Sequence, residues 1–418
     1  MLKLYFKQAW RLLRENPVLS AISILGTALA ICMIMVMVII YGIQTKNYMP
    51  ETNRNRMMYF RYGEAKGKEG IESGSNYGRL GIPCIKSALY TLKSAEAVTA
   101  TSLQTYLASA PGVAETLTSY TLLTDDAFWK VFNFRSIAGK PFSREDFSSG
   151  IKKAVIDETT ARKLYGNANA VGKTLFLSHL SYTVCGVVKD ISSFARAAYA
   201  NVWIPYTNTA MGDYSHADGI MGSFQCYLLA HSSADFSKIK SEVLKNVQQY
   251  NQTTSTWNWG ILNQPNSVTE MFFRKGMQSP PEVGKGILRY AVLLLILLLV
   301  PALNLSGLTL SRTKQRYSEL GVRRAFGAVK QQLISQVLLE NFVLSLLGGI
   351  LGLAFSYVGL FLLRGWLLKG VETIYADMLV SPWVFVLAFL FCLLLNLFSA
   401  YIPAYRTSRK NIVDALHN

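Results

Sequence analysis

The chain has 418 residues, with 42 Lys and Arg against 25 Asp and Glu and a net charge of +17, yet only 16% of it is charged and 51% is hydrophobic. Soluble domains run nearer ~25% charged. The segment from Ile43 to Gly286 holds 19 of the acids and 26 of the bases, so the remaining basic excess flanks long apolar runs instead of forming a nucleic-acid-binding face. A membrane protein is the first reading, and a nucleic-acid partner is not expected.

Residues 1–17 are expected to form a cytoplasmic amphipathic helix on the inner leaflet. Lys3, Lys7, Arg11 and Arg14 recur on one face, Leu2, Phe6, Ala9, Trp10 and Leu13 lie towards another, and Asn16-Pro17 breaks the pattern. The plainer alternative is a simple basic flank. Four runs have the ~20 apolar residues that a bilayer core of ~30 Å requires: 18–42, 287–310, 342–363 and 383–401. The first reads as an uncleaved signal anchor, because its apolar run is too long for a signal peptide and no small-residue cleavage site follows. Basic residues before span one, across 311–332 and after span four (Arg406, Arg409 and Lys410) place those flanks in the cytoplasm. The link at 364–382, where Arg364 and Lys369 are balanced by Glu372 and Asp377, suits the outer side. Residues 43–286 lie outside too, and both termini, including the tail 402–418, are cytoplasmic.

The expected fold is therefore a membrane α-helical protein with four transmembrane helices, one plus three, and a large extracytoplasmic α/β domain in two subdomains. Extended runs are expected at Lys153–Ile156, Thr174–Leu177, Tyr182–Val188, Val202–Pro205 and Phe224–Ala230. Helices are expected at Asp157–Tyr165, closed by Gly166, and at Phe236–Tyr250, with Ile239, Val243, Leu244 and Val247 on one side. The glycine-rich stretch Lys66 to Gly81 reads as a flexible loop.

The search for chemistry excludes more than it finds. Gly166 to Gly172-Lys173-Thr174 resembles a phosphate-binding loop, but five residues separate the glycines where the motif needs four. A helix also precedes it and a strand follows, the reverse of the order that points helical N–H groups at a phosphate. His179, His216, His231 and His417 are scattered without metal-ligand spacing, so no metal site is expected. Asp125-Asp126 and Asp157-Glu158 sit where a turn or a helix start favours carboxylates, and neither pair reads as catalytic. Cys32 and Cys392 lie in spans. Cys84, Cys185 and Cys226 are expected as buried thiols, with one bridge and one free thiol as the alternative.

The informative segment is 311–341, a basic, small-residue stretch pinned between two spans that runs from Ser311 through Arg316, Glu319, Gly321, Arg323, Arg324 and Gly327 into Gln331 to Glu340. It is positioned to press on a cytosolic partner, or else to satisfy charge asymmetry at the inner leaflet. With Gly348-Gly349-x-x-Gly352, Pro403-Ala404 and Asp414 to Leu416, it resembles the MacB/FtsX-like permeases of ABC transporters, the mechanotransmission type. The outer region resembles the periplasmic core domain of that family through Phe128 to Phe134, Ala138 to Phe142, Ala161 to Gly166, Val171 to Thr174, Tyr182 to Val188 and Trp203 to Pro205. Ile412 departs from the family's usual tail proline, and the link carries about three extra residues between Asn304 and Glu319.

That resemblance implies a non-catalytic permease subunit with no cofactor of its own. ATP and Mg would sit on a separate ABC ATPase subunit, since no Walker motif is present here. Coupling to that ATPase would fall to Arg316, Glu319, Gly321, Arg323, Arg324 and Gly327. The glycines Gly348, Gly349 and Gly352 would allow close helix crossing, unless they are plain packing accommodations. Other implied partners are a second permease chain (a homodimer or a related paralogue), the lipid bilayer and a periplasmic adaptor. The implied location is the bacterial inner membrane, and the implied task is export or extraction of a peptide, antibiotic or lipoprotein-like substrate. The alternatives are a membrane-anchored extracytoplasmic sensor without transport and a tethered hydrolase, the latter weakened by the lack of a nucleophile, base or metal cluster.

Overall fold

The computed structural model describes residues 17–113, 116–167, 169–297, 299 and 330–367, with scattered positions between 385 and 405. The amphipathic helix expected before Pro17, the coupling link up to residue 329, most of the outer link and nearly all of the tail fall outside the described residues, as do parts of spans two and four. The chain divides into two units, one holding the apolar helices and the other built on Ile43–Gly286.

In the first unit, helix α1 spans Pro17–Thr45 with no acidic residue in its first turn and no basic residue in its last. Pro17 suits a helix start, where its missing N–H costs nothing. Among the described residues, two helical stretches are long and apolar enough to cross a membrane: Ser20–Thr45, with mean hydropathy 2.7, and Asn341–Gly359, with 1.9. Residues 283–297 are also helical.

The outer unit is organised by a mixed sheet in the order β14-β1-β12-β4-β5-β10-β7-β9-β6, with β8 pairing β4 and β9. Its strands are β1 (Met57–Phe60), β4 (Ala95–Ser109), β5 (Leu117–Thr124), β6 (Ser136–Gly139), β7 (Lys153–Asp157), β8 (Thr174–Leu177), β9 (Leu180–Val188), β10 (Val202–Pro205), β12 (Gln225–Ala230) and β14 (Asn266–Ser267). Pairs β5/β10 and β7/β9 are parallel, and the others are antiparallel. Side chains alternate across a strand, and both faces here are covered. Met58, Phe60, Ile156, Ile204, Cys226 and Leu228 enter one core cluster, while Met57, Tyr59, Val155, Trp203, Tyr227 and Leu229 enter another. This explains why β1, β10 and β12 read as unbroken apolar runs instead of alternating ones.

Lys66 to Gly81 is not the flexible loop its glycines suggest. Most of it is a hairpin of β2 (Gly63–Gly67) and β3 (Ser75–Leu80), which joins β11 (Met221–Gly222) and β13 (Trp257–Gly260) in a second sheet. The connection closes through a Gly67 N–H to Gly74 carbonyl bond of 3.0 Å, and Gly70 and Gly74 use their freedom to hold φ +78° and +107°. The two sheets lie in one compact unit and share a core: Ala65, Leu80, Met221 and Trp259 pack in the same cluster as Phe60 and Phe224.

Helix α2 (Glu158–Tyr165) starts where Asp157 accepts the Thr160 N–H at 2.8 Å and stops at Gly166, whose φ is +76°. Helix α3 spans Phe236–Thr253 and buries Ile239, Val243, Val247 and Tyr250. Leu244, expected on that face, is 46% exposed. It stands about 100° round the helix from Val243, off the stripe that Tyr250 completes. Helix α4 runs unbroken over Lys330–Leu367.

Candidate functional site

The six residues expected to couple to an ATPase, Arg316, Glu319, Gly321, Arg323, Arg324 and Gly327, lie outside the described residues. Gly348, Gly349 and Gly352 are described, and they sit where α4 meets its neighbours. A Cβ placed on Gly348 would stand 2.8 Å from Thr27 Cβ, and one on Gly352 would stand 2.7 Å from the Ala28 carbonyl oxygen and 2.9 Å from Ile31 Cβ. One on Gly349 would stand 2.5 Å from the Phe389 ring. Real Cβ atoms do not approach so closely, so α1 and α4 come this near because Gly348 and Gly352 lack one.

Buried small and polar residues continue the glycine spacing. On α4, Asn341, Ser345 and Ser356 are buried at three- and four-residue steps with Gly348 and Gly352, and on α1 Ser20, Ser23 and Thr27 are buried at matching steps. Small and hydroxyl side chains let backbones approach and hydrogen-bond where no hydrophobic drive separates helix from lipid. Sequence reasoning took only the glycines from this face. The serine spacing was the available signal for the rest.

In the outer unit the acidic and glycine motifs are structural. Asp125 is 3% exposed and accepts from Thr99 Oγ1 at 2.6 Å, Ala100 N–H at 3.0 Å, Phe128 N–H at 3.1 Å and the Tyr90 hydroxyl. Burial pushes its carboxyl up to about 6, against the pull of the Thr99, Tyr90 and Ala100 hydrogen bonds. A cavity of about 550 Å³ opens beside it, with Lys86, Arg144 and Tyr206 among its walls. Its oxygens are committed to the fold, which leaves none aimed at a reactant. Asp157 is likewise held by the Thr160 N–H and the Asn201 amide.

Gly172 holds φ +82° and gives its N–H to the Val184 carbonyl at 2.8 Å, while the Lys173 ammonium lies 5.1 Å from the centre of the Tyr165 ring. Helix α2 precedes this turn and β8 follows it, so no helix start faces the turn.

His179 occupies the β8–β9 turn with φ +77°, and His216 bridges Met221. The Nδ1 of His231 lies 3.9 Å from a Glu96 carboxylate oxygen. Among the described residues no three His, Cys, Asp or Glu side chains are grouped to hold a metal. Cys32, Cys84, Cys185 and Cys226 are free thiols, and burial pushes the Cys185 thiol up to about 11.

One cluster escaped sequence reasoning: Tyr48, Glu51 and Arg54, just past the end of α1. Its signal was present in the sequence, an acid and an arginine three residues apart directly after a span.

Comparison with known proteins agrees with this architecture. The MacB-like periplasmic core domain model matches residues 20–245, more than half of the chain, and the FtsX-like permease C-terminal model matches residues 291–412. The chain belongs to the MacB/FtsX-like ABC transporter permeases. It pairs an α/β domain of the MacB periplasmic type with a membrane permease domain.

Among relatives, it is 24% identical over 295 residues to the macrolide export ATP-binding/permease protein MacB of Pasteurella multocida, covering 70% of this chain and 42% of that protein. It is 28% identical over 299 residues to MacB of Burkholderia cenocepacia, covering 70% and 40%. To the uncharacterized ABC transporter permease YknZ of Bacillus subtilis it is 23% identical over 303 residues, covering 70% and 68%. The chain thus spans about four tenths of the length of the MacB relatives it matches. Among solved structures, the periplasmic region of MacB from Actinobacillus actinomycetemcomitans matches 50% of this chain and 88% of its own at 14% identity and TM-score 0.35. The extracellular domain of YknZ from Gram-positive bacteria matches 50% and 100% at 15% identity and TM-score 0.36.

Proposed function

We propose that this chain is a permease subunit that carries ATP-driven movement to its α/β domain and itself hydrolyses nothing. The observation that carries this reading is the joining of a MacB-like core domain and an FtsX-like permease region on one chain, with α1 running from an apolar span into the outer unit without a break. Four spans, one plus three, would cross the bacterial inner membrane with both termini in the cytoplasm and the α/β domain in the periplasm.

Two permease chains would pair in the membrane. A separate ABC ATPase, holding ATP and Mg, would dock on the link through Arg316, Glu319, Gly321, Arg323, Arg324 and Gly327. Gly348, Gly349 and Gly352 would keep α1 and α4 moving together. The cargo would be a peptide, antibiotic or lipoprotein-like molecule, handled on the outer side with or without a periplasmic adaptor. Support for outer-side handling comes from the apolar helices, whose described stretches give a polar solute no charged path.

The test is purification of the chain from its native membrane in mild detergent. An ATPase should be retained, and ATP turnover should disappear when it is stripped away. Lys173→Ala should leave turnover of the complex within about twofold, since that lysine packs on Tyr165. Retention of a kinase instead, or turnover by the stripped chain, would contradict the reading.

A further inference from the structure

The junction after α1 is built around one buried guanidinium. Arg54 is 3% exposed and Glu51 2%. Arginine carries five N–H donors in a rigid fork, and here every one is used. Nε donates to the Glu51 carboxylate; Nη1 donates to the carbonyls of Ile43 at 2.8 Å and Lys46 at 3.2 Å; Nη2 donates to the Tyr48 hydroxyl at 2.6 Å and the Phe194 carbonyl at 3.1 Å. The Tyr48 ring stacks 4.1 Å from the guanidinium carbon, and the other Glu51 oxygen accepts the Ala197 N–H at 2.9 Å.

These acceptors come from two places. Ile43 belongs to the last turn of α1, where carbonyls have no partner inside the helix, and Lys46 follows it directly. Phe194 and Ala197 belong to the segment between β9 and β10, 140 residues beyond Arg54 in the case of Phe194. That segment is anchored in turn: Ala197 and Ala198 are buried, and the Ala198 carbonyl accepts the indole N–H of Trp203 at 3.1 Å. All of these groups lie in the Ile43–Gly286 unit, into which the end of α1 runs. The irregular stretch from Lys46 to Asn53 is also tied to the 131–133 segment, where the Asn133 N–H donates to the Pro50 carbonyl at 2.8 Å and the Asn133 amide to Thr52 at 2.6 Å, and the guanidinium adds the bonds that join it to the last turn of α1 and to Phe194.

We propose that Arg54, with Glu51, is a positioning residue that fixes the last turn of α1 to this stretch as a rigid joint, so that movement of α1 is handed to the α/β unit. The inference rests on the reading above, that ATP-driven movement travels along the spans. Lysine could not substitute, because a single ammonium cannot reach acceptors spread around a planar fork.

The test uses the full chain with its co-purified ATPase, spin-labelled at exposed Ser149 in both permease copies, and reads the label-to-label distance with and without trapped nucleotide. Three variants are compared with the unchanged chain: Arg54→Lys; Glu51→Leu with Arg54→Met, which replaces the buried pair by apolar side chains; and a two-glycine insertion after Lys46, which leaves the Arg54 contacts beyond Lys46 in place. ATP turnover within about twofold and an unchanged melting point of the α/β unit show that a variant is folded and coupled to its ATPase. The expected result is a nucleotide-dependent shift in the unchanged chain, reduced about fivefold or more in every variant that meets those two conditions. A full shift in any such variant overturns the joint. No shift in the unchanged chain overturns the transmission reading itself, and the joint with it.

Discussion

The membrane helices and the α/β unit solve the same packing problem by opposite means. Where α1 meets α4, contact depends on what is missing: Gly348 and Gly352 have no Cβ, and they approach Thr27, Ala28 and Ile31 closely. Where the outer unit is buried, contact depends on what is present, a doubly covered sheet, with Arg54, Glu51 and Asp125 buried outside its strands and each hydrogen-bonded. The difference follows from the solvent. Lipid tails give no hydrophobic reward for joining two apolar helices, so closeness decides, whereas water drives apolar area inward and buried charges persist only when paired. The two regions should therefore fail differently when single side chains are changed.

The largest effect is expected at Arg54→Ala. It strands the Glu51 carboxylate in the interior, and removing one partner of a buried pair typically costs ~3–5 kcal/mol. Glu51→Leu with Arg54→Met should cost far less, and comparing chemical unfolding of the two variants by tryptophan fluorescence would expose the asymmetry.

Asp125 should make the outer unit sensitive to pH. Its folded value of about 6 lies above its ordinary 3.8, so the native state binds the proton more tightly than the unfolded chain. Stability from this group is then fully present below about pH 4 and is lost as pH rises through 6, by roughly 3 kcal/mol at ~1.4 kcal/mol per unit. Asp125→Asn should remove that slope while lowering stability at pH 5, because an amide cannot accept all four donors. An unchanged slope in the variant would assign the sensitivity elsewhere.

Between the helices, Gly352→Leu should lower the melting temperature of the detergent-solubilised chain, at the ~1–3 kcal/mol typical of overpacking. Gly359→Leu is the control, since nothing lies within 4 Å of the Cβ it would add. Equal effects at both positions would show that the seam does not depend on the close approach. The smallest contrast is on α3, where Leu244→Ala should stay within ~0.5 kcal/mol and Val243→Ala, at a fully buried position, should cost ~1–3 kcal/mol.

The same contrast explains what could be read from the residues alone. Strands β8 and β10 follow from composition because β-branched and aromatic runs between turn residues have few other uses, and α2 follows from its acidic start and Gly166. The hairpin β2–β3 was hidden because glycine marks both loose loops and tight turns, and only pairing with β13 distinguishes them. Leu244 was misplaced because adjacent apolar residues on a helix leave the edge of the stripe undecided until a partner is known. The buried donors of Arg54 were invisible because Phe194 is far away in sequence. For the seam, glycine spacing announced close approach, while the identity of the facing helix came only with the contacts to Thr27, Ala28 and Ile31.

The central claim, that a separate ATPase drives this chain through its cytoplasmic link, is tested most directly by reversing two charges. Arg323→Glu with Arg324→Glu should be compared with the unchanged chain at equal membrane levels by recovery of the ATPase in a pull-down. Breaking desolvated charge contacts typically costs ~2–5 kcal/mol, enough to dissociate a micromolar complex. The account predicts loss of the ATPase with the permease still inserted and its α/β unit still folded, whereas equal recovery from both chains would contradict it.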